Sequence, residues 1–240
     1  MAQSRIDLIL RNAAFYAVAG VVSTPFLLAV PFVVFAFDRF GMPVITAYLK
    51  AILFLLKSIC GLDHAVSGRE RMPDGPALIA SAHQSTWENL FFIVIFGNPA
   101  FVVKEELLNY PLVGSIVRAN GYLPAYRTGD LEKIKQTFEA ARGQAAAGRS
   151  ILIYPTGTRT GTNATPELKR GVAALYQTLG LPCVPVAHNS GRYWQHKSWL
   201  RHKGTIRVEI LSALPPALEK RAFLDTLTQR LATATDTLRD

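Results

Sequence analysis

Residues Ser81–Leu90 read "SAHQSTWENL" and continue the apolar run Ala77–Ala82. A short apolar run bounded by turn residues reads as a buried strand. The helical stretch Thr86–Phe96 follows it. A strand that enters a helix through a polar turn opens an α/β unit. The turn carries His83, and Glu88 stands five residues on. On one continuous helix such positions point about 140° apart. The two can meet only if His83 lies in the turn before the helix. The carboxylate would then accept from one imidazole nitrogen and leave the other free to take a proton. The same residues also spell a capping box, with Ser85 at the cap and Glu88 three residues later. These ten residues alone leave both readings open.

Outward from this stretch, strand-like and helix-like segments alternate. Ala77–Ala82, Ala100–Val103, Tyr122–Tyr126, Ser150–Tyr154, Cys183–Ala187 and Thr205–Leu211 read as strands. Leu112–Ala119 is a short helix closed by Asn120 and Gly121. Leu131–Ala147 is another, with Asp130 as its cap, Leu131, Ile134, Phe138 and Ala141 on one face, and Gly148 past its end. Thr165 and Pro166 open a helix that stops at Gly180. Leu218–Leu238 spaces Phe223, Leu227, Leu231 and Leu238 along one face. The expected fold class is α/β, a central sheet flanked by helices, over residues 61–240.

Residues 1–60 differ in kind. Ala13–Phe37 holds no charged residue over 25 positions, more than the roughly 20 that a spanning helix needs. A secretory signal has a shorter apolar core and a small-residue cleavage site, and no such site is evident. Pro25 and Pro31 should kink or break a helix here. The second run, Val44–Cys60, carries Lys50 and Lys57; it is too short and too charged to span easily and reads as interfacial. The expectation is a membrane anchor over residues 1–60, either a kinked span with an interfacial helix or a shallow hairpin. Arg5, Arg11, Arg39, Lys50 and Lys57 favour both flanks on the cytoplasmic side. Two buried core helices are the alternative.

The chain of 240 residues is 50% hydrophobic with a net charge of +9, so an anionic partner is expected. The two cysteines, Cys60 and Cys183, allow neither a disulfide framework nor a zinc spacing. His188, His196 and His202 form no metal-ligand pattern, and no H-E-x-x-H occurs, so no metal is expected. Ser81 and Ser85 lack the G-x-S-x-G elbow of serine hydrolases.

Three further stretches carry chemistry. "YPTGTRT", Tyr154–Thr160, follows a strand and offers Gly157 between two hydroxyls, with Arg159 beyond. Glycine lets a backbone approach an anion, and arginine grips phosphate oxygens in pairs. The pattern is not a nucleotide P-loop. "GYLPAYR", Gly121–Arg127, is a second strand ending in arginine. "CVPVAHNSG", Cys183–Gly191, runs from a buried strand into a polar loop. "GRYWQHKSWLRHKG", Gly191–Gly204, mixes aromatic and basic residues. That mixture suits stacking on single-stranded nucleic acid or a membrane interface. The apolar N-terminus favours the membrane, and no nucleic-acid partner is expected.

The order of these pieces resembles the four-motif pattern of the glycerolipid acyltransferases, in particular the bacterial 1-acylglycerol-3-phosphate acyltransferases. The pieces are His83-x4-Glu88, G-x-x-x-x-x-R ending at Arg127, P-x-G-T-R ending at Arg159, and the V-P-V strand around Pro185. The resemblance implies an N-terminal membrane-binding segment and an acyltransferase domain on the cytoplasmic side of the cell inner membrane. It implies that His83 is the general base and Glu88 its orienting carboxylate. Arg127 would help bind the acceptor phosphate, and Thr156, Gly157, Thr158 and Arg159 would form its main site. Pro185 would lie in the strand that shapes the pocket. The implied reaction moves an acyl group from acyl-CoA or acyl carrier protein to a lysophospholipid, with no cofactor. Three positions depart from the family pattern. Glu88 stands where Asp is usual, Thr156 replaces a Glu, and Tyr126 replaces the acidic residue before Arg127. These bear on the acceptor, so another lysolipid, such as a lyso-ornithine lipid, is an alternative. A catalytically weak lipid-binding protein is a second.

Overall fold

The computed structural model describes residues 4–126, 130–161 and 167–239. Eight helices are numbered here: α1 (Arg5–Phe35), α2 (Met42–Leu55), α3 (Trp87–Ile95), α4 (Pro111–Ala119), α5 (Leu131–Ala146), α6 (Arg170–Leu179), α7 (Ser190–Tyr193) and α8 (Lys220–Thr237). Seven strands accompany them: β1 (Leu62–Ser67), β2 (Leu78–Ser81), β3 (Ala100–Lys104), β4 (Leu123–Ala125), β5 (Ile151–Ile153), β6 (Cys183–His188) and β7 (Gly204–Ile210). The sheet order is β1-β7-β6-β2-β5-β3-β4. The α/β expectation holds, and every expected strand is present. Strand β1 was not foreseen, because "LDHAVS" mixes charge with apolar residues and lies half exposed.

The chain divides into two compact units. The first comprises Met1–Ala65, Gln84–Asn98 and Asn189–Arg207; the second comprises Val66–His83, Pro99–His188 and Val208–Asp240.

In the second unit, β2 lies between β5 and β6, parallel to both. Strands β5, β3 and β4 continue in parallel, while β7 runs antiparallel to β6. Strand β2 is buried at every position, as a parallel strand covered on both faces must be. Its side chains join Ile151, Val172, Tyr176, Phe223, Leu227 and Leu231 in one core. Tyr176 and Phe223 stack at 3.9 Å. The foreseen face of α8 is therefore the buried one. On α5, Ala141 is fully buried and Phe138 packs on the core, but Leu131 is 79% exposed. As the first helical residue it points back past the helix start, so the periodicity overran the contact. Asp130 caps α5 by accepting from the Lys133 amide at 3.2 Å. Helix α6 begins at Arg170, later than the expected Thr165, and Lys169 is its extended cap. Thr165 and Pro166 lie outside the described residues.

In the first unit, α1 runs through Pro25 and Pro31 as a single helix of 31 residues, about 46 Å long. The expected break does not occur. A proline removes one backbone bond, and neighbouring helices and hydroxyls compensate in such segments. Close to Pro25, Ser23 donates to the Ala19 carbonyl at 2.6 Å, and its oxygen lies 2.9 Å from the Tyr48 hydroxyl on α2. Tyr48 also stacks on Phe26 at 4.0 Å. The α1 segment and the helical stretch Arg39–Cys60 are each long and apolar enough to cross a membrane. The second was expected to be merely interfacial. Its helix, however, starts earlier and gains a π-helical turn at each end, reaching 22 residues. Only 17% and 33% of the two apolar windows are buried, whereas a core helix would be mostly covered. Val21, Leu28, Phe32 and Phe35 of α1 are all more than 70% exposed.

Helix α1 is fixed at its start. The fully buried Asn12 side chain accepts from the Arg201 amide at 2.7 Å and donates to the Arg201 carbonyl at 3.0 Å. The Arg201 guanidinium stacks 3.8 Å from the Trp194 ring and donates to the carbonyls of Ser198 and Leu200. Burial lowers its pKa. Tyr16 of α1 donates to the Trp199 carbonyl at 2.9 Å. The basic and aromatic stretch Gly191–Gly204 thus serves partly as the seat of α1.

Candidate active site

His83 stands two residues beyond β2, and Tyr154 follows β5 directly. Both are at strand C-terminal ends, where open α/β sheets collect ligands. The rings stack at 3.9 Å and 15°. Phe101 lies 6.4 Å behind Tyr154. The His83 carbonyl accepts from the Thr160 amide at 2.8 Å, which ties the Tyr154–Thr160 loop to the histidine. Within that loop the Gly157 amide donates to the Tyr154 carbonyl at 2.9 Å, and Gly157 takes φ of +66°. That conformation costs other L-residues about 1–2 kcal/mol. Thr156 is buried and donates to the Thr158 carbonyl at 2.7 Å, so its hydroxyl closes the turn. Gly157 and Thr158 are exposed, and Arg159 is half-buried. The loop therefore presents a backbone turn, a hydroxyl and a guanidinium on the segment tied to the His83 carbonyl.

Two residues fix the segment before His83. The buried His188 ring places Nε2 2.9 Å from the Ala82 carbonyl, and Ser81 donates to the same oxygen at 2.9 Å. His188 ends β6, whose register sets Pro185 opposite Ala80. Pro185 is buried within a central strand, a position that proline rarely occupies. Its carbonyl still pairs with the Leu211 amide at 3.0 Å. Tyr126 carries Lys133 over its ring at 5.4 Å. Arg127 lies outside the described residues. The turn before β4 is pinned by Arg149, which donates to the Asn120 carbonyl at 2.6 Å and to its side-chain oxygen at 3.0 Å. Burial pushes the nearby Tyr122 phenol up to about 12.

In the first unit, Glu88 is fully buried at the second position of α3. The residues before Trp87 are not helical, so His83 does precede the helix, as a His–carboxylate pair requires. Glu88 Oε1 accepts from the amides of Gln84 and Ser85, both at 2.8 Å. Oε2 accepts from the hydroxyls of Ser85 at 2.5 Å and Ser190 at 2.9 Å. The Gln84 side chain accepts from the Gly191 amide at 3.0 Å. Half of the capping box forms, since Glu88 reaches back to the Ser85 amide. The cap itself is Thr86, and Ser85 Oγ accepts from Trp87 instead. A residue that only capped a surface helix would need one amide and solvent. Glu88 takes four donors in a buried site, an arrangement that suits an ionised carboxylate held in one orientation.

Tyr154, Gln84 and Ser190 escaped the sequence reading. Tyr154 had a signal, an aromatic residue at a strand end beside the glycine turn. Gln84 and Ser190 had none, because their partners are set by folding. Among the described residues no cluster of histidine, cysteine or carboxylate side chains could hold a metal.

The family model described as Acyltransferase matches residues 63–189, from β1 to the residue after β6. The chain belongs to that acyltransferase family. Within it, the chain is 32% identical to the 1-acyl-sn-glycerol-3-phosphate acyltransferase of Pseudomonas aeruginosa over 78% of its own length and 73% of that protein's. It is 27% identical to the Saccharomyces cerevisiae protein of the same name, over 69% of its own length and 56% of the relative's. The fold matches the crystal structure of the 1-acyl-sn-glycerophosphate acyltransferase PlsC of Thermotoga maritima. The TM-score is 0.77 with 98% of both chains covered, at 18% identity.

Proposed function

We propose that the protein acylates the free sn-2 hydroxyl of 1-acyl-sn-glycerol-3-phosphate, giving phosphatidic acid. The observation that carries this is the loop Tyr154–Thr160, hydrogen-bonded to the His83 carbonyl. It sets an anion-binding turn and Arg159 beside a histidine at a strand end. The names of the Pseudomonas aeruginosa and Saccharomyces cerevisiae relatives support the same substrate.

His83 takes the proton from the acceptor hydroxyl as that oxygen attacks the thioester carbon of acyl-CoA or acyl carrier protein. The tetrahedral intermediate collapses, the C–S bond breaks, and the thiol leaves with the proton from His83. The ester forms without a covalent acyl-enzyme, and the thioester is already activated, so no cofactor takes part. Glu88 orients the imidazole and stabilises its cation, as the carboxylate of a catalytic triad does. Gly157, Thr158 and Arg159 hold the acceptor phosphate with Arg127, and Thr156 shapes their turn. Pro185 lies in the strand that shapes the pocket. The exposed apolar faces of α1 and of Arg39–Cys60 lie in the membrane, with the site on its cytoplasmic side. An acyl chain gains about 0.8 kcal/mol per buried CH₂, so the lipid acceptor never needs to leave the bilayer.

Thiol release from acyl-CoA and from acyl carrier protein, with and without lysophosphatidic acid, tests this on wild type and His83→Ala. Acceptor-dependent release that the substitution abolishes supports the assignment. Release only with another lysolipid, such as a lyso-ornithine lipid, replaces the acceptor. Lipid binding without release from either donor replaces catalysis with a binding role.

A further inference from the structure

We infer that Ser190 is a positioning residue for the catalytic carboxylate. The inference rests on the role proposed for Glu88 and extends it to a residue 102 positions away in sequence. Ser190 is the first residue of α7 and is fully buried. Its hydroxyl donates to Glu88 Oε2 at 2.9 Å. The Ser85 hydroxyl donates to the same oxygen and lies 2.9 Å from Ser190 Oγ. Three oxygens thus form a closed triangle in a site shut from water. The two Oε1 donors are amides of the turn that follows His83 in the chain. They set where that oxygen sits, and the donors on Oε2 set the plane of the carboxylate. An anchor on Oε2 therefore fixes the orientation that Oε1 alone does not define.

Ser85 alone is a poor anchor, because it belongs to the same turn and would move with it. Ser190 comes from a separate segment with its own supports. The preceding Asn189 side chain accepts from the Arg207 amide at 2.8 Å, and its backbone amide donates to the Arg207 carbonyl at 3.3 Å. The polar loop after the V-P-V strand therefore holds the carboxylate against an independent frame. A charge-assisted hydrogen bond of this kind in a dry site is among the stronger ones.

The test is steady-state kinetics of the full-length protein in detergent micelles, using acyl-CoA and lysophosphatidic acid. Ser190→Ala removes one donor and leaves the Gln84 and Ser85 amides and the Ser85 hydroxyl as donors at Glu88, so the fold should persist. The expected result is a kcat lowered about tenfold to a hundredfold, the size of one hydrogen bond to a charge. The acceptor KM should stay within about twofold, and Ser190→Thr should recover part of kcat. Combined with Glu88→Gln, Ser190→Ala should add little, because both act through one carboxylate. Unchanged kcat in a folded Ser190→Ala protein overturns the inference. So does an equal loss in the Glu88→Gln background, failure of Ser190→Thr to recover activity, or loss of folding. If Glu88→Gln itself is near wild type, the role of Glu88 has failed first, and that result is distinct from an inert Ser190→Ala beside an inactive Glu88→Gln.

Discussion

Replacing Glu88 by Gln separates charge from shape. The amide oxygen can still accept from Gln84 and Ser85 N–H, which meet Oε1 at 2.8 Å. The amide nitrogen then faces the hydroxyls of Ser85 and Ser190, which rotate to accept. All four contacts survive as neutral hydrogen bonds. Each loses about 1 kcal/mol of charge assistance, partly offset because no ion must be kept buried. A net cost of about 1–2 kcal/mol lowers Tm by roughly 2–8 °C in a chain of this size. Catalysis should fall much further, because an amide cannot stabilise the imidazolium that forms. An Asp-to-Asn change in a triad costs about 10⁴ in kcat, so a loss of about 10²–10⁴ is expected. Glu88→Ala behaves differently. It takes the acceptor from the two amides in a buried site, at about 1–3 kcal/mol each, and should destabilise the fold well beyond Glu88→Gln. The assay pairs thiol release at saturating substrates with thermal melting in the same detergent. A Glu88→Gln protein that melts within a few degrees of wild type and turns over at a similar rate would refute the catalytic role and leave Glu88 as a helix-end clamp.

Other perturbations probe the remaining parts. Arg159→Ala should raise the KM for lysophosphatidic acid at least tenfold while the acyl-CoA KM stays near wild type, consistent with loss of a charged phosphate contact; acceptor titrations check it. Gly157→Ala meets open space, with only Lys169 Cγ at 3.8 Å, so its cost is the positive φ alone, about 1–2 kcal/mol, read by thermal melting. Tyr122 titrates near 10 unfolded and is pushed up to about 12 when folded. The folded state then binds the extra proton, so this contribution to stability is complete below pH 10 and is lost as pH rises toward 12. Tyr122→Phe should flatten that alkaline decline in melting temperature. Leu28 is 71% exposed on α1, so Leu28→Lys should leave the fold intact yet weaken membrane retention, measured by carbonate extraction.

The α/β class, the run of strands and the two apolar N-terminal segments were legible in the sequence. Each depends on periodicity, composition or caps acting over a few neighbouring residues. Asp130 capping α5 and the buried face Phe223, Leu227 and Leu231 of α8 are examples. The placing of His83 ahead of α3 was legible too, because the polar turn ends where the apolar helix begins. The limits of local reading appear where long-range packing decides. Helix α1 runs on through two prolines that local rules read as a kink or break, and Leu131 fits the periodicity but overhangs the core.

The site depends most on such long-range pairing. Strand β2 takes β5 and β6 as neighbours, which begin about 70 and 105 residues later in the chain. Only that pairing stacks Tyr154 on His83 and brings His188 to the Ala82 carbonyl. Glu88 could be singled out from its spacing, but no local rule names Ser190 as its partner. The sequence by itself singled out the candidate residues and the segments apolar enough to cross a membrane, because those properties belong to side chains and short spans. The tertiary structure decided how the groups are held, because a strand's neighbours are chosen by burial across the whole sheet.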